Sequence, residues 1–410
     1  MLNTMKKNVL ICLMLLCSLV YSYAQAPELK EFINKKDELA KELQEAIAKK
    51  DYKAGENICR EFIIYYEKQP AQIQKQFIQL KYNCYYNMAC YQSLLKNKNE
   101  ALESFEKACA NGELEMSYTH IAKDADLKFI SNEKKFQEIM LLMKNASDYL
   151  HILKQANGYE QSQRPDTLPQ FIYADPSNPD LVKVREYFKL DSVAGKGDEI
   201  SKIQNILTYI HNKIKHDGQH SNPKGGANAI NFAEVCKDGS RGLNCRGLAT
   251  VLNECYLSMG IKSRFVTCMP KKYVNDCHVI NAVYSTTLNK WLWMDPTNNA
   301  WVMDQKGNLL SIQEVRQRLR EDLPLVLNKK ANWNNKEKVK AENYLYNYMA
   351  KNLYYVNCNL RYEFNTEGNS NPDSYSVNLM PKGFTTTYQT KNKKDFNDDV
   401  WFWQSPYEGK

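Results

Sequence analysis

Between positions 245 and 295 a cysteine, a histidine and an aspartate each stand where a regular element begins or ends. No other feature of the 410-residue chain restricts its fold as tightly. Cys245 follows a loop containing Gly239 and Gly242. It opens an apolar pattern at helical spacing: Leu248, Val251, Leu252, Cys255 and Tyr256. A thiol in the first turn of a helix faces backbone N–H groups that lack an intrahelical partner, at the positive end of the macrodipole. Both effects favour the thiolate, which is the nucleophilic form.

His278 begins the alternating, β-branched run His278-Val279-Ile280-Asn281-Ala282-Val283-Tyr284, which reads as a strand. A turn at Asn289 leads into Trp291-Leu292-Trp293-Met294, a second strand that Asp295 ends and Pro296 stops. If the two strands are antiparallel neighbours, His278 and Asp295 meet at one end of the pair. A carboxylate there holds the imidazole in one tautomer and turns it toward a thiol. Taken singly, each residue has an ordinary reading: a buried structural cysteine, a satisfied strand histidine, an Asp-Pro turn. Together, in this order and at separations of 33 and 17 residues, they point to a Cys-His-Asp triad.

This combination resembles the transglutaminase-like superfamily. The matching segments are Gly242-Leu243-Asn244-Cys245-Arg246-Gly247-Leu248-Ala249, Asp276-Cys277-His278-Val279 and Trp291-Leu292-Trp293-Met294-Asp295-Pro296. The resemblance covers about residues 185–305. It implies a papain-like core in rearranged order, with a nucleophile helix packed on an antiparallel sheet. It also implies roles: Cys245 as nucleophile, His278 as base, Asp295 as orienting carboxylate. Two departures stand out. The family often has Trp two residues after the histidine and then a glutamate, where this chain has Ile280 and Ala282. These bear on cleft shape rather than on the triad. Gln219 or Tyr209 could supply an oxyanion donor beside the backbone N–H of Cys245. Cys277 points to the opposite sheet face if the strand is regular, as a structural thiol or half of a disulfide.

The rest of the chain frames this core. Lys6 and Lys7, the apolar run Val9 to Val20 and the small residues of Ser22-Tyr23-Ala24 read as an export signal over residues 1–24, cut after Ala24. The mature chain is then periplasmic or extracellular, with no membrane insertion after signal removal and with disulfides open to its ten remaining cysteines. Residues 27–157 read as all-α. Leu39, Leu43 and Ile47 recur at spacing four, and Asp51 and Asn97 or Asn99 stand at helix starts. Residues 85–113, with Ala89, Ala101, Phe105 and Ala108, resemble a tetratricopeptide repeat, a generic helical bundle being the alternative. Such a region is available to a protein partner. A stretch rich in Pro, Ser and Asn (residues 158–180) leads into the core, at 181–305. Residues 306–410 read as a mixed, β-rich extension. Its aromatics, ending in Trp401-Phe402-Trp403, belong to a core rather than a groove. The fold class expected is α+β.

A net charge of +8, spread along the chain without a dense basic run, gives no case for nucleic acid. His216, Asp217 and His220 lack fixed helical spacing, so no metal is assigned, and no cofactor or calcium is required. The resemblance implies acyl transfer on an amide of a protein or peptide substrate through a thioester at Cys245, with hydrolysis favoured by analogy to exported bacterial peptidases and amidases. The alternatives are a cross-linking transglutaminase, an inert papain-like scaffold, and a glycan-binding protein that uses the C-terminal aromatics.

Overall fold

A computed structural model describes residues 27–109, 114, 116, 118–160, 168–221, 223–272, 276–368, 376–386, 388 and 393–407. The expected export signal, and the part of the expected linker around Pro165, lie outside the described residues. The chain divides into two compact units between His151 and Ile152.

The first unit is helical. Helices α1 (Pro27–Ala48), α2 (Tyr52–Glu67), α3 (Ala71–Gln76), α4 (Ile78–Leu94) and α5 (Lys98–Cys109) are followed by α6 (Lys134–Ser147). Asp51 caps α2 by accepting from the Ala54 N–H at 2.9 Å. One core gathers around Phe32, whose ring lies 4.8 Å from Phe77 and 6.0 Å from Tyr65. Gly55 lets α2 and α4 approach: a Cβ there would stand 3.0 Å from the Tyr91 ring. In a second core Ala89, Ala101, Phe105 and Ala108 are buried between α4 and α5, and Phe105 stacks on Phe136 of α6 at 4.6 Å. Small residues at the crossing and one aromatic filling the gap account for this packing.

The second unit places the candidate triad. Helix α7 (Glu199–Lys213) packs on α8 (Cys245–Ser258), the helix that opens with the candidate nucleophile, and α8 lies against a six-stranded sheet. Its strands are β1 (Ser263–Met269), β2 (His278–Ser285), β3 (Lys290–Met294), β4 (Tyr355–Asn359), β5 (Ser376–Leu379) and β6 (Lys393–Phe396), in the order β6-β5-β4-β1-β2-β3. All neighbours are antiparallel except β5 and β6. Val283 pairs with Leu292 and Asn281 with Met294, so the start of β2 and the end of β3 share an edge.

Both sheet faces are covered, which is why β1 and β2 are buried throughout. On one face Val283, Leu292 and Met294 join α7 and α8 in the core, and the Asn281 amide donates to Ala249 O of α8 at 2.9 Å. The C-terminal residues cover the other face. Trp293 Nε1 donates to Tyr344 Oη and Trp291 Nε1 to Trp403 O, at 3.2 and 3.1 Å. The buried Arg264 guanidinium is held between the rings of Phe171 and Trp291, 3.8 and 4.3 Å away. Trp401 and Phe402 are buried, and Trp401 Nε1 donates to Pro169 O, so these rings pack rather than line a groove.

Two boundaries read from composition thus look different in space. Ala156 packs with Met269, Tyr355 and Met380 of the second unit, although its pattern continues that of the helices before it. The C-terminal extension contributes three of the six strands, so it is woven into the core sheet rather than appended to it.

Candidate active site

Cys245 is the first residue of α8, and Asn244 caps that helix by accepting from the Gly247 N–H at 2.9 Å. The loop before it is fixed by a short backbone pairing. Leu243 N–H donates to Lys215 O at 3.1 Å, and Asp217 N–H donates to Leu243 O at 2.7 Å. Only glycine fits at 242 in this pairing, because a Cβ would lie 2.2 Å from Lys215 O. The half-buried thiol lies beside the His278 imidazole and the Val279 N–H. Burial alone would raise its pKa. These two polar neighbours, the imidazolium charge and nearby Arg246 bring it below the ordinary thiol value. Arg246 is itself anchored to Glu367 at 2.6 Å and to Thr267 Oγ1 at 2.8 Å.

His278 opens β2 and Asp295 directly follows β3, so the shared edge brings them together: Nε2 lies 2.8 Å from Asp295 Oδ2. With Nε2 engaged there, Nδ1 is the nitrogen left for the thiol. Burial opposes protonation of His278, but the Asp295 charge and bond, and then the thiol, push its pKa up to about 10. Asp295 is fully buried and acts only as acceptor. Its Oδ1 takes the Thr297 N–H at 2.8 Å, and its Oδ2 takes the Asn298 amide at 2.9 Å and the Tyr344 hydroxyl at 2.6 Å. Burial would raise this carboxyl; the His278 charge and these donors hold it below the ordinary value. Tyr344 begins a π-helical turn, Tyr344–Met349, and Tyr348 of the same turn sets its ring edge-on to His278 at 5.3 Å.

The thiol opens onto a cleft of about 720 Å³. One wall is a hairpin of Asn332–Trp333 and Glu337–Lys338, which contributes Trp333, Lys338 and neighbouring Lys340. Cys277 also lines this cleft. It precedes β2 rather than belonging to it, so strand alternation does not turn it to the other face, and it is a free thiol. The two expected oxyanion donors are not brought to the cleft. Tyr209 lies on α7, packed against the core with the Lys213 ammonium over its ring, because the apolar stripe of α7 faces α8. Gln219 sits exposed in an Asp217 turn, its N–H on Asp217 Oδ1 at 3.1 Å. His220 pairs with Asp217 at 2.6 Å, whereas His216 faces the cleft. Among the described residues no group of three or more His, Cys, Asp or Glu could hold a metal ion.

Sequence reasoning missed Tyr344, Tyr348 and Trp333, whereas the loop around His216 reads as cleft-lining and His216 does line the cleft. No local pattern marks the first three, which arrive from beyond the strand pair. His216 carried a signal, a histidine in a glycine-rich loop just before the nucleophile.

Residues 187–296 match the family model described as the transglutaminase-like superfamily. No curated protein matches the chain. Among solved structures, one described as a "Putative Cysteine Protease from Cytophaga hutchinsonii" aligns at 17% identity and a TM-score of 0.23, over 34% of this chain and 49% of that one. This chain therefore spans about half the length of that structure. From residue 187 to residue 296, the stretch that holds Cys245, His278 and Asp295, the protein carries a transglutaminase-like superfamily domain.

Proposed function

We propose that this protein is an exported cysteine enzyme that breaks amide bonds of proteins or peptides through a thioester at Cys245, with water as the usual acceptor. The reading rests on one observation: Cys245 and His278 line one cleft side by side, and His278 Nε2 lies 2.8 Å from the buried Asp295 carboxylate. A lowered thiol beside a raised imidazole favours the thiolate–imidazolium pair over the neutral one. The thiolate attacks the amide carbonyl carbon, and the C–O π electrons move to oxygen. The free backbone N–H of Cys245, at the helix start, stabilises that oxyanion; one such donor contributes about 3 kcal/mol. On collapse the C–N bond breaks, and His278 gives its Nδ1 proton to the departing amine. Water then loses a proton to His278 as its oxygen adds to the thioester; the C–S bond breaks, the Cys245 thiolate is restored beside the imidazolium, and the carboxylic acid leaves. Asp295 keeps the imidazole oriented and stays ionised throughout.

Iodoacetamide tests the reading. Mass spectrometry of the labelled protein is expected to find Cys245 alkylated roughly tenfold or more faster than any other cysteine near pH 7. In His278→Ala that advantage should disappear. If Cys245 reacts no faster than the buried thiols, or reacts equally well without His278, the domain is an inert scaffold. Amine release from exported proteins, absent in Cys245→Ala, would identify the acyl donor. Incorporation of an added primary amine in place of acid product would shift the reading to cross-linking.

A further inference from the structure

A second imidazole faces the same cleft as the thiol, and the triad does not use it. His216 follows α7, and its backbone is bridged to Leu243, two residues before Cys245. Asn334 of the hairpin clamps it on both sides. The His216 N–H donates to Asn334 Oδ1 at 2.6 Å, and Asn334 Nδ2 donates to His216 O at 2.9 Å. Trp333 of the same hairpin points its indole Nε1 at His216 Nδ1, 3.3 Å away. An indole N–H can only donate. His216 Nδ1 is therefore the unprotonated nitrogen, and the ring proton sits on Nε2. That N–H donates to no group among the described residues.

We propose that His216 is the side-chain oxyanion donor of this site, paired with the backbone N–H of Cys245, and that Trp333 fixes the tautomer that makes it a donor. The inference rests on the acyl-transfer reading above and adds a residue to it. Burial, and then the positive charge of His278, hold His216 below the ordinary histidine value, so it stays neutral beside the imidazolium. A neutral imidazole is the useful form here. It gives a hydrogen bond to negative charge on the carbonyl oxygen without competing for the proton that His278 must deliver. His216 also stands where Tyr209 and Gln219 were expected to act, on the loop that the Gly242 pairing holds against the nucleophile.

Two probes separate this role from thiol activation. p-Nitrophenyl acetate acylates the thiolate through a tetrahedral oxyanion: the C–S bond forms, the acyl C–O bond breaks and p-nitrophenolate leaves. Iodoacetamide alkylates the same sulfur by displacing iodide, with no oxyanion. In His216→Ala the p-nitrophenolate burst is expected to slow by about 10²–10³-fold, while alkylation of Cys245 stays within about threefold of wild type. Retained alkylation also reports that the variant has folded. His216→Gln, which keeps an N–H donor, should recover part of the burst, and Trp333→Phe should lose about tenfold by freeing the tautomer. A normal burst in His216→Ala overturns the proposal and leaves the enzyme reading intact. An equal fall in burst and alkylation also overturns it, assigning His216 to thiol activation or folding. If wild type shows neither a burst nor preferential alkylation, the acyl-transfer reading fails first and the oxyanion role falls with it.

Discussion

Residues 187–296 and residues 306–407 meet at one cleft and are built by different rules. The first segment supplies the thiol, the imidazole and the carboxylate, each fixed by a local event: a helix start at Cys245, a strand start at His278, a strand end at Asp295. The second supplies the groups that hold and surround them. Tyr344 bonds the Asp295 carboxylate from 49 residues away, and Trp333 and Asn334 reach His216 across 117 and 118 residues. Short-range geometry is enough to bring three reactive groups to one sheet edge. Enclosing them needs a second layer of chain, so the extension is part of the site and not an ornament on it.

The largest effect should come from breaking the first segment at its tightest point. Gly242→Ala drives a methyl group into Lys215 O, in backbone that cannot swing aside. The pairing of residues 215–217 with Leu243 should open, at a cost of about 3 kcal/mol or more. Thermal denaturation should show the loss of stability, and iodoacetamide labelling of Cys245 should slow with it. A variant with wild-type Tm and wild-type labelling would mean that the nucleophile loop does not depend on this close approach.

Legibility follows the same division. The triad could be read because helix and strand periods fix where a residue falls within a few positions, and 51 consecutive residues contain all three groups. The strand pair around Trp291 was legible for the same reason. Tyr344 was not. It lies in a π-helical turn in the midst of tyrosines, and only the pairing of β4 with β1 brings that turn under Asp295. Tyr209 misled because it is adjacent in sequence to the right loop, yet its helix face is committed to the core. Cys277 misled because alternation was extended back one residue before the start of a strand.

The two segments are also joined by a buried carboxyl group that sharpens the comparison. Glu254 of α8 is buried. One carboxyl oxygen accepts the Ala229 N–H and the other the Asn365 N–H of the extension, both at 2.8 Å. Burial pushes its pKa up to about 8 from an ordinary 4.5, against the pull of those two bonds. With the folded value raised, the contribution to stability is whole below 4.5 and is lost as pH rises toward and through about 8. Over that window this group alone lowers stability by about 1.4 kcal/mol per pH unit. Glu254→Gln should flatten the fall of Tm between pH 5 and pH 8, whatever its effect on Tm at a single pH. An unchanged slope would place the titration elsewhere and leave Glu254 as a permanently ionised tie.

The smallest effect is the most informative about why the extension is there. Tyr344 donates to Asp295 Oδ2, and Trp293 Nε1 in turn donates to the Tyr344 oxygen. This hydroxyl withdraws part of the negative charge that Asp295 turns toward His278. Tyr344→Phe leaves the ring packing in place and removes the bond. Asp295 keeps three other protein donors besides His278, so the carboxylate stays ionised but is held less firmly. The loss in kcat should be about tenfold, the value of one charge-assisted bond in part compensated, with KM nearly unchanged. The pH profile gives the sign that a packing role would not. More negative charge on Asp295 raises His278 further, so the alkaline limb, set by an imidazole already near 10, should move to higher pH. A limb that stays put while kcat falls would make Tyr344 a wall of the triad rather than a brake on its charge.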